Sequence, residues 1–224
     1  AHYLAKQGVK YDDPKAWQLI HDLTESFQYN LLKATVNLAK EKGACEYSDN
    51  TKYSHGILPI DTYKKDVDEL VPNNLKCDWE SLREEVKEYG VRNSTLSAQM
   101  PSESSSVVCN ATNGIEPPRA FVSIKQSKDG VLKQVVPGYA RYKNKYELLW
   151  DQKSPEGYLK IMAILQKYID QGISVNTSYN PEHYEDEKVP NYLKKQSFSN
   201  PIKNLFSVSY THLRAHETRH DVVC

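Results

Sequence analysis

The sequence has 224 residues, of which 39% are hydrophobic, and its 29 basic side chains are balanced by 29 acidic ones. This length and composition allow a sizeable buried core in one domain or two, and a zero net charge argues against binding nucleic acid through a basic surface. The sequence contains neither an apolar run of 18 residues nor a signal-peptide pattern, so we expect no membrane partner. The cysteines are far apart and form no Cys-x-x-Cys pair, which favours a reducing, cytoplasmic location.

Two long helices are predicted in the first ninety residues. Asp12 or Asp13 can cap the first helix, with Pro14 in its opening turn, and Gly43 ends it. Its predicted buried stripe contains Trp17, Ile20, Phe27, Leu31, Ala34 and Leu38. The second helix, DWESLREEVKEY, is capped by Asp78 and closed by Gly90.

The remaining elements alternate between strand and helix. The pattern predicts a strand over 91–100, a short helix over 104–109 and a hairpin over 120–136 that turns at Asp129-Gly130. Two further helices are predicted over 142–150 and 157–171, and a short strand over 173–176. Together these elements indicate an α/β domain.

A serine-rich turn, PSESS at residues 101–105, joins the end of the predicted strand to the first turn of the short helix. The first amides of a helix have no intrahelical partner and carry partial positive charge, so hydroxyls placed there favour a phosphate. Ser102, Ser104 and Ser105 fit this role, and Pro101 fixes the turn without using an N–H. Glu103 would repel a phosphate through its carboxylate, so we expect only its amide to face the ligand. The alternative is an ordinary N-cap, in which the serines satisfy the helix itself.

Several longer stretches of the sequence point to one family. The stretches that carry the resemblance are RNSTLSAQMPSESSS, NATNGIEPPRAFVSIKQSKDGVLKQVVP, YLAKQGVKY, LLKATVNLAKEKGACE, GILPIDTYKK, YELLW, QKYIDQGISVNTSYNP and KVP. They closely resemble the large (alpha) subunit of class I ribonucleotide reductase over most of residues 1–190.

The resemblance implies a fold and a reaction. Residues 1–190 would form the C-terminal portion of the family's ten-stranded α/β barrel, which is therefore incomplete here. The intact enzyme would reduce ribonucleoside diphosphates to deoxyribonucleotides by thiyl-radical chemistry. In this family the residues matching Pro101, Ser102, Glu103, Ser104 and Ser105 bind the substrate's phosphates.

The resemblance also implies partners and missing parts. The intact enzyme would pair with a small (beta) subunit whose metal centre generates the radical, form an alpha homodimer and bind nucleotide effectors. No catalytic residue, metal ligand or cofactor is assigned in this segment, so we expect the chain alone to be inactive. Cys45, Cys77 and Cys109 match no redox position, and we interpret them as buried or half-buried thiols.

The sequence departs from the family over 191–224. Tyr210 stands where an adjacent tyrosine pair is expected, but Thr211 follows it, and SVSYTHLRAHETRH resembles translated sequencing adapter. We therefore expect a frameshifted or adapter-derived tail that is poorly ordered.

Two alternative functions remain open from sequence. The first is a non-catalytic phosphate-binding α/β module, based on the serine turn alone. The second is a zinc peptidase, because His216, Glu217 and His220 spell H-E-x-x-H. A third protein ligand would have to come from elsewhere, since only four residues follow the motif.

Overall fold

The computed structural model describes residues 1–100, 102–127, 130–176 and 178. Its α-helices are α1 (His2–Gln7), α2 (Pro14–Lys42), α3 (Pro59–Thr62), α4 (Trp79–Tyr89), α5 (Glu103–Val108), α6 (Tyr139–Tyr142) and α7 (Glu156–Gln166). The strands are β1 (Val122–Ser127) and β2 (Gly130–Val135). Short 3-10 turns lie at Ser48–Asn50, Lys52–His55, Lys65–Glu69, Lys143–Lys145 and Leu149–Asp151.

Helix α2 begins and ends where its caps predict. The Asp13 carboxylate accepts the amide of Lys15 at 2.8 Å, and Pro14 occupies the first turn, where its missing N–H costs nothing. Gly43 follows the last turn with a φ of 79°, and its amide donates to the carbonyl of Ala39. Both predicted boundaries are confirmed.

The predicted buried stripe of α2 is wrong in part. Phe27 is 58% exposed and Leu38 is 38% exposed, whereas Ile20 is buried as predicted. The buried face instead contains Ala16, Ile20, His21, Thr24, Glu25, Gln28, Leu32, Thr35, Val36 and Ala39. Apolar residues recur at helical spacing on two faces of α2, and periodicity alone does not say which face the core takes.

Helix α4 also matches its prediction. Asp78 caps it by accepting the amide of Ser81 at 3.1 Å, and Gly90 follows its last residue. Its face of Trp79, Leu82 and Val86 is buried against Leu32 and Val36 of α2. Burial of each large apolar side chain contributes roughly 1.5–3 kcal/mol, so this contact fixes α4 on the second half of α2.

Helix α7 packs on the first half of α2. Ile161, Met162 and Ile164 are almost completely buried, in a cluster with Ala16 and Ile20 of α2. The helix ends at Gln166, so the predicted extension to residue 171 is wrong. The chain instead turns after α7 and runs toward the serine turn.

We expect Gly157→Ala to destabilise the protein by about 1–3 kcal/mol, because an added methyl overpacks a filled site. A Cβ at Gly157 would lie 2.7 Å from the Cα and the amide nitrogen of Asp12, and backbone atoms cannot move aside cheaply. Urea unfolding of the purified chain measures the loss. Gly172→Ala is the matched control, since no atom lies within 4 Å of its added Cβ. Equal stability of the two variants would contradict the prediction.

The predicted hairpin is present. Strands β1 and β2 pair antiparallel, with Val122 opposite Val135 and Ile124 opposite Lys133. Asp129 lies outside the described part of the chain. The hairpin is therefore confirmed. Its predicted turn at Asp129-Gly130 is wrong, because Gly130 is a paired residue of β2 that lies opposite Ser127.

The predicted strand over 91–100 is wrong for most of its length. The amide of Asn93 donates to Thr35 Oγ1 at 2.9 Å, and the amide of Leu96 donates to Asp170 Oδ2 at 2.9 Å. Side chains distant in sequence thus take the hydrogen bonds that a neighbouring strand would otherwise take.

A parallel bridge joins the end of this segment to residues that follow α7. Gln99 pairs with Ile173, the amide of Gln99 donates to the carbonyl of Gly172, and the amide of Ser174 donates back to Gln99. The predicted strand over 173–176 is represented only by this bridge among the described residues.

The predicted helix over 142–150 is also wrong. Helix α6 ends at Tyr142, and two 3-10 turns follow it. The amide of Leu149 donates to the carbonyl of Pro118 at 2.9 Å, and the Tyr146 hydroxyl donates to the carbonyl of Pro137. The amide of Leu149 thus has a tertiary acceptor in place of an intrahelical one, whereas the amide of Tyr146 still donates to the carbonyl of Tyr142.

The described residues do not show a barrel. They contain one antiparallel hairpin and the Gln99–Ile173 bridge and are otherwise mainly helical. The expected α/β barrel portion is therefore not confirmed by secondary structure. The predicted tail, 191–224, lies wholly outside the described residues.

Candidate functional site

The serine turn forms the start of α5. Its intrahelical ladder begins at the amide of Ser106, which donates to the carbonyl of Ser102 at 2.8 Å. The amides of Glu103, Ser104 and Ser105 precede that bond, so the ladder offers them no acceptor. Ser102 occupies the N-cap position without a side-chain capping bond. The ordinary capping role is therefore not what the Ser102 hydroxyl performs within the described residues.

The hydroxyls of the turn lie at its surface. Ser104 and Ser105 are exposed, Ser102 is half-buried and Ser106 is buried. The Ser105 hydroxyl donates its one hydrogen to the carbonyl of Ser102 at 3.2 Å, so a phosphate oxygen would have to replace that carbonyl as its acceptor. A small, hydroxyl-rich and accessible helix start is typical of anion sites.

Two of the predicted site features lie outside the described residues. Pro101 is not described, and neither is the side chain of Glu103, so the expected outward turn of that carboxylate stays a prediction. The structure does bring Ser102, Ser104 and Ser105 together in one turn.

The chain leaves α5 through a residue whose backbone has the left-handed conformation. Asn110 has a φ of 48°, a conformation that asparagine adopts more readily than most residues, and the amide of Ala111 returns to the carbonyl of Ser106 at 2.8 Å. Gln134 of β2 then donates to the carbonyl of Ala111 at 2.9 Å. The hairpin thereby holds the exit of the turn, as the Gln99 bridge holds its entrance.

A buried polar cluster lies away from the turn. Lys167 is 1% exposed, and its Nζ donates to Asp68 Oδ1 at 3.0 Å and to Asn73 Oδ1 at 2.6 Å. The hydroxyl of Tyr168 lies 2.7 Å from Nε2 of His21. Burial lowers the pKa of Lys167 and that of His21. Since these groups bind one another, we assign the cluster a packing role that joins α2, the 65–73 segment and the end of α7.

Sequence reasoning missed this cluster. The signal that could have found it is a polar series at helical spacing on α2, His21, Glu25 and Gln28, all buried. Polar groups at core positions require partners, so such a series indicates an internal network. The partners themselves, such as Lys167, lie too far away in sequence to be identified from it.

The thiols show no redox arrangement within the described residues. Cys45 and Cys77 are half-buried as expected, whereas Cys109 is exposed, which corrects the expectation for that residue. Burial raises the pKa of the Cys77 thiol, and the Glu25 carboxylate adds to the effect. A raised pKa leaves less of the reactive thiolate.

The remaining hypotheses concern a metal site, the tail and a membrane span. Among the described residues, no group of three His, Cys, Asp or Glu side chains could hold a metal ion. His216, His220 and Tyr210 lie outside that part of the chain, so the zinc hypothesis stays untested. None of the described helices combines the length and apolar character needed to cross a bilayer.

Comparison with known proteins shows which family the chain resembles. A family model described as the ribonucleotide reductase barrel domain matches residues 1–142. The chain is 61% identical over 190 residues to the ribonucleoside-diphosphate reductase subunit alpha of Haemophilus influenzae and 57% identical to ribonucleoside-diphosphate reductase 1 subunit alpha of Escherichia coli. It is 47% identical over 192 residues to the corresponding subunit of Enterobacteria phage T4.

These alignments cover 85% of this chain but only 25% of each relative. The chain thus spans about a quarter of the length of the curated relatives it matches. Since the family model covers more than half of the chain, and the alignments with alpha subunits extend across the serine turn, the chain belongs to the ribonucleotide reductase family through its barrel domain.

Proposed function

We propose that this chain is part of a ribonucleoside-diphosphate reductase alpha subunit and that its serine turn, residues 101–105, holds the substrate's diphosphate. The observation that carries the proposal is the 61% identity to a named alpha subunit over 190 residues. In the complete enzyme, the ribonucleoside diphosphate is reduced to a deoxyribonucleotide by thiyl-radical chemistry.

The turn suits a diphosphate for physical reasons. The amides of Glu103, Ser104 and Ser105 precede the first intrahelical bond of α5, and the two serine side chains are exposed. Hydrogen bonds from such donors to a charged phosphate oxygen contribute roughly 1.5–3 kcal/mol each. The Glu103 carboxylate is proposed to face away, so that only its amide contacts the anion.

The remaining machinery is proposed to lie in other parts of the enzyme. The radical cysteine, the reducing cysteine pair and the effector sites are assigned to regions outside this segment. The small beta subunit, with its metal-generated radical, and a second alpha subunit are the proposed protein partners, and the cytoplasm is the proposed location. This segment contributes substrate positioning, which is the role its amides and hydroxyls can perform.

The test is Ser104→Ala combined with Ser105→Ala in a complete alpha subunit that carries this segment. We expect the KM for ribonucleoside diphosphate to rise about 10-fold, because two hydroxyl contacts are lost while the amide contacts remain. Effector binding, measured by equilibrium titration, should stay unchanged.

Ser26→Ala, an exposed serine on α2, is the matched control and should leave KM unchanged. An unchanged KM in the double variant, with the protein folded, would contradict the phosphate role of the two hydroxyls.

A further inference from the structure

We propose that Ser97 is a positioning residue for the serine turn. Its hydroxyl sets how far the extended chain reaches before Pro101, and so determines where the phosphate-binding amides lie. The inference rests on the proposed function of residues 101–105, and it assigns Ser97 no contact with substrate.

The Ser97 hydroxyl joins two separate parts of the fold. Its Oγ donates to Oε1 of Gln28 at 2.7 Å and accepts the amide of Asp170 at 3.1 Å. Gln28 is completely buried on α2, between the half of that helix that packs against α7 and the half that packs against α4. Asp170 belongs to the segment that follows α7. A single hydroxyl therefore fixes the chain to the central helix and to its neighbouring extended segment at once.

Backbone contacts extend this attachment in both directions. The carbonyl of Ser97 accepts the amide of Gln171 at 2.9 Å, and the Asp170 carboxylate accepts the amide of Leu96 at 2.9 Å. Two residues further on, Gln99 exchanges hydrogen bonds with Gly172 and Ser174. The register of the chain entering the turn is thus set at residues 96–99.

Register matters here because of the geometry of extended chain. A slip of one residue moves the chain by about 3.3 Å and turns every side chain to the opposite face. A misplacement of about 1 Å is already enough to impair a positioned substrate. The parallel bridge at Gln99 is a single residue pair, so the two contacts of the Ser97 hydroxyl add to the few backbone hydrogen bonds that set the register. A slip of one residue would break both contacts, because it would turn the Ser97 side chain to the opposite face.

The experiment uses a complete alpha subunit carrying this segment, assayed with its radical-generating subunit. Ser97→Ala removes the hydroxyl, and Ser97→Thr restores it. We expect Ser97→Ala to raise the KM for ribonucleoside diphosphate about 10-fold while kcat falls less than about 3-fold. Ser97→Thr should recover a KM within about 3-fold of the parent, because its hydroxyl can make both contacts.

Ser48→Ala is the matched control for lost stability. Ser48 is buried, whereas Ser97 is half-buried, and the Ser48 hydroxyl likewise accepts a backbone amide, that of Val91 at 3.2 Å, at a distance from the turn in sequence. It should lower the thermal midpoint without changing KM. If Ser97→Ala lowers the midpoint in the same way and leaves KM unchanged, Ser97 has a purely structural role and the inference is wrong.

Ser97→Cys and the Ser104 and Ser105 double variant resolve the two remaining outcomes. If Ser97→Ala does not fold, Ser97→Cys keeps the side chain's size with only weak hydrogen bonding, and a parent-like KM in that variant overturns the inference. The Ser104 and Ser105 double variant separates the two proposals. A raised KM there with a normal KM for Ser97→Ala refutes only the positioning role, whereas normal values in both refute the phosphate site as well.

Discussion

The 224-residue chain on its own is expected to form no deoxyribonucleotide when it is given ribonucleoside diphosphate, a reductant and the radical-generating subunit. Hydrogen bonds from the serine turn can hold a diphosphate, but positioning does not replace a covalent radical step. Enzymes accelerate their reactions by about 10⁶-fold or more, so losing the reactive group removes essentially all measurable turnover. Chromatographic detection of the deoxyribonucleotide provides the measurement.

The control for this loss is a complete alpha subunit that contains the same segment, assayed in parallel. It should form product at a rate that depends on the added radical-generating subunit. Product from the short chain above the protein-free background would show that residues 1–224 contain a reactive group that we do not assign.

The ends of the long helices were predictable because their signals are local. Asp13 and Gly43 bound α2, and Asp78 and Gly90 bound α4, each through a contact with a residue at most four positions away. Such capping contacts depend on neighbouring backbone alone, so the sequence contains all the information they need.

The orientation of α2 was not predictable in the same way. Both the stripe through Phe27 and the stripe through Leu32 repeat at helical spacing, yet Phe27 is exposed and Leu32 is completely buried. The choice depends on which face α4 and α7 cover, and that is a property of tertiary packing.

The candidate site likewise has one part that local sequence predicts and one part that tertiary contacts determine. The helix start at Ser102, Ser104 and Ser105 was predictable from its residues, because small hydroxyl side chains favour the first turn of a helix. Its attachment was not, since Ser97 and Gln28 are 69 positions apart and Ser97 and Asp170 are 73 apart. Nothing in the local pattern around residues 91–100 distinguishes a strand from a segment held by distant side chains.

Glu25→Ala is expected to destabilise the protein by about 3–5 kcal/mol, since removing the acceptor leaves the buried indole N–H of Trp79 and two partly buried backbone amides without it. Glu25 is 1% exposed, and its Oε1 accepts the amides of Lys76 and Cys77 at 2.7 and 2.9 Å. It also accepts the indole N–H of Trp79 at 3.2 Å. One oxygen atom therefore connects α2 to the chain that leads into α4.

Two variants separate the lost acceptor from the lost volume. Glu25→Met keeps the side chain's length without an acceptor and should lose nearly as much stability as Glu25→Ala. Glu25→Gln keeps one acceptor oxygen and should lose less, about 1–2 kcal/mol, because neutral hydrogen bonds are weaker than charge-assisted ones. The free energy of unfolding is measured by urea titration, with unchanged m-values required for comparison.

The decisive result is the order of these three variants in free energy of unfolding. If Glu25→Met is as stable as the parent protein, the three donors find other acceptors or water, and the carboxylate does not hold α4 to α2. If Glu25→Gln loses as much as Glu25→Ala, negative charge matters more than the number of donors. The expected order, with Gln least destabilising and Ala most, would show that one buried oxygen sets the position of α4, since three donors converge on it from the chain leading into that helix.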